Sequence, residues 1–101
     1  MSGWQVYILR CRDRSLYTGV AVDLRKRLEA HRRGVAAKYT RGRGPLTLVY
    51  EESQPDRSSA LKREAALRRL GRAGKLALIE SHRSLRVRGD LHDAVDVDRH
   101  T

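Results

Sequence analysis

The chain has 101 residues, enough for one domain with one hydrophobic core. Hydrophobic residues make up 40%, which argues against global disorder, and the formal net charge is +10. No apolar run approaches 18 residues and no basic-then-apolar leader opens the chain, so neither a membrane span nor a signal peptide is expected. The single cysteine, Cys11, excludes an internal disulfide and a thiolate zinc cluster, and it points to a reducing, cytoplasmic setting.

Elements follow in chain order. Trp4 to Arg10 is rich in β-branched and aromatic residues and predicts a strand. Arg12 to Ser15 is a polar turn, and Leu16 to Val20 returns as the second arm of a hairpin. Asp23 is placed to cap a helix whose apolar face runs Leu24, Leu28 and on to His31, with Gly34 as the stop. Gly34 to Gly44 is a glycine-rich basic loop closed by Pro45. Leu46 to Tyr50 predicts a third strand. After the turn Gln54-Pro55-Asp56, a helix capped by Asp56 or Ser58 runs to about Leu70, where Gly71 breaks it. A third helix spans Arg72 to about His82. Residues 83–101 lose periodicity, apart from Val95-Asp96-Val97-Asp98, and are expected to form a mobile tail or a short docking segment beyond a domain of residues 1–82. The order predicts an α+β fold, a small three-stranded, partly antiparallel sheet flanked by helices.

The charge is unevenly placed. Residues 83–101 carry four arginines against four aspartates, so the excess lies before them. Arg25 to Arg43 holds eight basic residues against Glu29 alone, and Arg57 to Lys75 holds seven against Glu64 alone. Two such blocks on one small domain attract polyanions by counterion release, nucleic acid foremost.

Chemistry is suggested at a few positions. Cys11 ends a strand away from any motif and reads as an inert thiol. No phosphate-cradling or dinucleotide-type glycine pattern occurs, and no carboxylate pair suggests glycoside hydrolysis. Leu61, Glu64, Leu67 and Leu70 recur at spacing three, so Glu64 interrupts an apolar stripe and is either a salt-bridge hub or a metal ligand. Arg27 and His31, four apart, project together from the edge of the first helix. Tyr7 and Tyr17 lie on the two hairpin strands, where core packing is the ordinary role of tyrosine.

Taken together these residues form a pattern. Gln5-Val6-Tyr7, followed by Tyr17-Thr18-Gly19, resembles the paired triplets of the GIY-YIG nucleases. The resemblance continues through Asp23 to Leu28 with His31, through Ala36 to Gly42, to Glu64 and the stretch from Leu70 to Ile79. It covers residues 3–80 and is nearest to the small stand-alone bacterial members. Gln5 stands where the first triplet has glycine, Thr18 where the second has isoleucine, and the chain has no asparagine, which many members carry in the later helices.

The resemblance implies a metal-dependent endonuclease that hydrolyses phosphodiester bonds in DNA, leaving a 5′-phosphate and a 3′-hydroxyl, in repair or processing. Tyr7, Tyr17, Arg27 and His31 are the implied catalytic residues, and Glu64 the ligand of one Mg²⁺ or Mn²⁺. Gly19 falls on the glycine closing the second triplet, and with Lys38, Tyr39, Arg41 and Arg43 of the basic loop it is expected at the nucleic-acid interface. The residue types suit the task. Arginine holds phosphate oxygens in a planar fork, and one carboxylate can anchor a mostly hydrated Mg²⁺. A tyrosine hydroxyl titrates near pH 10 and needs help to act as a base. The expected partner is nucleic acid, DNA ahead of RNA, with a protein partner supplying specificity, because 101 residues leave no room for a targeting domain. The alternative is a binding module or accessory protein that keeps the fold without turnover.

Overall fold

The computed structural model describes residues 3–89 and 95–96. The elements run β1 (Trp4–Arg10), β2 (Leu16–Ala21), α1 (Leu24–Arg32), β3 (Thr47–Gln54), α2 (Arg57–Arg69), α3 (Gly71–Gly89) and β4 (Val95–Asp96). The sheet order is β2-β1-β3-β4. Every neighbouring pair is antiparallel, so the partial antiparallel character expected of the three main strands is complete.

β1 is central and alternates strictly. Val6 and Ile8 face one side with Val49, Tyr50, Ala60, Leu67 and Ile79, where α2 and α3 pack. Tyr7 and Leu9 face the other with Ala21, Leu28, Leu46 and Leu48, beneath α1 and the basic loop. A strand covered on both faces is apolar throughout, which is why Val6 to Leu9 reads as an unbroken run. The register slips between Ile8 and Leu9, which pair with Tyr50 and Leu48 and leave Val49 over. That bulge lets Val49 and Tyr50, adjacent in sequence, serve the same core.

Three features differ from expectation. β3 extends to Gln54 because Glu51 to Gln54 pair with Tyr7 to Trp4 at the start of β1. α3 continues through Gly89, and Val95–Asp96 pair with Thr47 and Leu48. The rest of the expected tail, 90–94 and 97–101, lies outside the described residues. On α2 the buried residues are Ala60 and Leu67, whereas Leu61 and Leu70 are exposed. Steps of three drift around a helix of 3.6 residues per turn, and the packed stripe is instead 60, 64, 67. Asp23 and Asp56 cap α1 and α2, their side chains accepting from the Lys26 and Ser59 amides. No helix among the described residues is long and apolar enough to cross a membrane.

Candidate active site

The candidate residues gather around β2, an edge strand of the described sheet. Its alternation sends Tyr17, Gly19 and Ala21 to the α1 side and Thr18 and Val20 to the α2 side. Tyr7 stands opposite Gly19 on β1.

On the α1 side a polar chain is sealed in the core. The Tyr7 hydroxyl lies 2.7 Å from His31 Nε2, and His31 Nδ1 lies 2.8 Å from Thr40 Oγ1. Thr40 donates to the Ala37 carbonyl at 3.3 Å. With that proton committed, Thr40 accepts from His31 Nδ1–H, and Nε2 accepts from the Tyr7 hydroxyl. All three residues are buried. Burial, then the charge of Arg27, pushes His31 down to about 4, so the imidazole is neutral at pH 7. Burial and the neighbouring Tyr17 hold the Tyr7 hydroxyl well above the ordinary tyrosine range, with Arg27 pulling down and Glu64 pushing up.

Gly19 is required by this arrangement. A Cβ there would sit 2.6 Å from Tyr7 Oη and 2.7 Å from its Cζ. Gly19 is itself buried, so it serves an interface only by seating the two tyrosines.

Tyr17 is half-buried and forms the outer layer. Its ring meets the His31 edge at 5.3 Å and stacks on Tyr39 at 5.8 Å, and the Arg43 guanidinium lies 4.5 Å from the Tyr39 centroid. Arg43 also pairs with Asp13 at 2.5 Å, tying the basic loop to the hairpin turn. Arg41 turns to the Gly34 carbonyl, and Lys38 is exposed. Tyr39 and Arg43 therefore join the tyrosine cluster, while Arg41 turns to the start of the loop.

On the α2 side stands Glu64, its side chain 17% exposed, paired with Arg68 Nη2 at 3.0 Å. The same Arg68 nitrogen donates to the Thr18 carbonyl on β2 at 3.3 Å. Lys75 of α3 is near enough that Arg68, after burial, lowers its pKa. Arg27 is exposed on α1, within electrostatic reach of Tyr7 and His31. Tyr17, Arg27 and Glu64, each carried by a different element, thus all act on the Tyr7 hydroxyl electrostatically.

Among the described residues no three of His, Cys, Asp and Glu cluster. A lone carboxylate fits a hard divalent ion that keeps waters and completes its shell with phosphate oxygens, the habit of Mg²⁺, rather than a zinc or calcium cage, and such an ion would have to displace Arg68 from Glu64.

Two participants carried no sequence signal. Thr40 was one more residue of a basic loop, yet it closes the buried chain. Arg68 was one of seven cations in its block, and only the helical spacing of four from Glu64 could have marked it. Cys11 is buried and its thiol is pushed up by that burial, in keeping with an inert role.

The family described as the GIY-YIG catalytic domain matches residues 3–77. A UPF0213 protein of Clostridium perfringens is 53% identical over 76 residues, covering 75% of this chain and 82% of that protein. One of Xanthomonas axonopodis pv. citri is 45% identical over 78 residues, covering 77% and 76%. The solution NMR structure of a UPF0213 protein from Bacillus halodurans is 42% identical, with a TM-score of 0.51 over 76% of this chain and 82% of that one.

Proposed function

Because the chain belongs to the GIY-YIG family, a nuclease superfamily whose fold implies a nucleic-acid substrate, we propose that it is a metal-dependent endonuclease cutting phosphodiester bonds, in DNA foremost. The observation that carries this reading is that Tyr17, Arg27 and Glu64, from three different elements, all lie within electrostatic reach of the buried Tyr7 hydroxyl, which is held in the sealed Tyr7–His31–Thr40 chain.

In-line hydrolysis builds negative charge on the phosphate oxygens and on the leaving oxygen. Arg27, exposed on α1, offers its planar fork to the phosphate. Tyr17 presents the hydroxyl that meets the attacking water. Tyr7 stays protonated and donates to His31, so these two act as positioning residues that hold the Tyr17 ring rather than as groups touching substrate. Glu64 would hold the divalent ion, which when bound supplies positive charge at the leaving oxygen. Arg68 orients the Glu64 carboxylate through its bond to the β2 backbone. The sealed chain serves as scaffold in this reading, with repair or processing of DNA as the setting.

The test is cleavage of duplex, nicked, branched and single-stranded DNA and of RNA, with Mg²⁺, Mn²⁺ or EDTA. Cleavage by wild type that Glu64→Ala abolishes, with nucleic-acid binding retained, is the expected result. Arg27→Ala should lose about 10²–10³ in rate, as for loss of one oxyanion donor. Binding without metal-dependent cutting by wild type would leave the binding-module alternative.

A further inference from the structure

An open groove of about 540 Å³ lies at the end of β2, beside the candidate active site. Trp4 and the segment Val20 to Val22 line it, with α1 on one side and the start of α2 on the other. Its surface is apolar where apolar residues are least expected. Val22 is 59% exposed, Val35 66% and Leu61 37%, and all three line this one feature. Lys26, Arg27 and Arg57 also line it. The acid in the lining, Asp23, has its carboxylate engaged by the Lys26 amide at 3.1 Å.

An apolar lining joined by three cations complements a flat, apolar ligand that carries an anion. A neutral lipid or an apolar peptide would leave three cations without a counter-charge, and a bare polyanion would leave the valines and Leu61 unused. A nucleotide satisfies both, its base against the apolar lining and its phosphate on the cations. Arg27 fixes the relation to the chemistry, because it lines the groove and also reaches the Tyr7–His31 pair electrostatically. A base in the groove therefore belongs to a nucleotide close to the phosphate that Arg27 holds. We propose that this groove is a nucleobase-binding subsite, which takes one unstacked base of the bound strand beside Trp4, Val22 and Leu61 and so sets where the strand is positioned for cutting. The proposal rests on the nuclease reading for the role of Arg27, but base binding in the groove does not require turnover.

The protein supplies its own reporter, since Trp4 is the sole tryptophan of the chain. The intact protein, in EDTA so that nothing is cut, is titrated with a short mixed-sequence oligodeoxynucleotide and with a matched strand made of abasic sites. Only the base-bearing strand should change Trp4 emission, and it should bind about tenfold tighter or more, the scale of one base–aromatic stack. Val22→Ser and Leu61→Ser alter exposed side chains without changing charge. Both should melt close to wild type, lose the preference for bases and keep the salt-sensitive binding of the abasic strand. Equal affinity for the two strands with unchanged Trp4 emission overturns the subsite, as does an unaltered preference in both variants. Base-dependent quenching without metal-dependent cleavage supports the subsite and removes the nuclease reading alone. Failure to bind either strand removes both.

Discussion

His31 should make folding sensitive to mild acid, and the size of the effect follows from its surroundings. In the folded chain the imidazole is buried between the Tyr7 hydroxyl and Thr40, with the Tyr17 ring at its edge and Arg27 nearby. Its pKa is pushed from 6.5 down to about 4. Above pH 6.5 both folded and unfolded chains hold it neutral, and it imposes no penalty. As pH falls from 6.5 towards 4, the unfolded chain takes up a proton that the folded chain refuses. Stability therefore falls with pH, at up to about 1.4 kcal/mol per unit, to a total near 3 kcal/mol once pH is below about 4. Against the roughly 5–15 kcal/mol typical of a domain, this is a large share. His31→Gln can still accept from Tyr7 and donate to Thr40 but cannot take up the proton. Urea unfolding of both proteins between pH 7.5 and 4.5 cancels the shared titration of the carboxylates and other histidines. The wild-type curve should drop away from the variant's by about 2 kcal/mol or more over that range. Parallel curves would refute a buried neutral imidazole at this position.

Gly19→Ala should lower the melting temperature by about 5 °C or more, because Tyr7 is buried and bonded to His31 and cannot retreat from a Cβ at 2.6 Å. Thr18 Oγ1 is buried without a hydrogen-bond partner, so Thr18→Val should stabilise by about 1 kcal/mol, seen as a rise of roughly 4–8 °C, and leave the carbonyl that Arg68 uses. Arg68→Gln removes the cation that a divalent ion on Glu64 must compete with. Mn²⁺ binding without nucleic acid, followed by electron paramagnetic resonance, should tighten about two- to fivefold if competition outweighs the orienting bond, and Mn²⁺ binding by Glu64→Ala equal to that of wild type would count against Glu64 as the ligand.

The parts of the fold legible in the sequence are those set by local chemistry. The hairpin, the Asp23 and Asp56 caps and the third strand all follow from short-range patterns. What escaped depends on partners distant in sequence. β3 runs to Gln54 because β1 is there to pair with it, and nothing in Glu51-Glu52-Ser53 signals a strand. At the site, the tyrosines, Arg27 and Glu64 were visible because they fall together in the order of the GIY-YIG pattern, none of them being unusual alone. The link from His31 to Thr40, and that from Arg68 to the Thr18 carbonyl 50 residues away, are made by folding alone. Burial also divides residues that the sequence grouped together, since Tyr7 and Tyr17 carry the same side chain but only the second reaches the surface.

The choice between hub and metal ligand for Glu64 can be measured against a carboxylate that is plainly a hub among the described residues, Glu52. That side chain, 19% exposed, accepts from Arg63 Nε at 2.9 and 3.1 Å, from Gln54 Nε2 at 2.7 Å and from the Tyr50 hydroxyl, so it stitches β3 to α2. Glu64, 17% exposed, has fewer bonds, an i,i+4 pair with Arg68, which is 57% exposed and also reaches the Thr18 carbonyl. Pairs of that kind contribute about 0.3–0.5 kcal/mol, whereas hydrogen bonds to a part-buried charge are worth about 1.5–3 kcal/mol each at the upper end. Glu64→Ala should therefore melt within a few degrees of wild type, and Glu52→Ala about 10 °C or more below it. If Glu64→Ala does melt close to wild type, its loss of cleavage is attributable to the ligand role proposed for that carboxylate rather than to unfolding. If Glu64→Ala instead melts as early as Glu52→Ala, Glu64 is a structural residue, and loss of cleavage in that variant says nothing about metal.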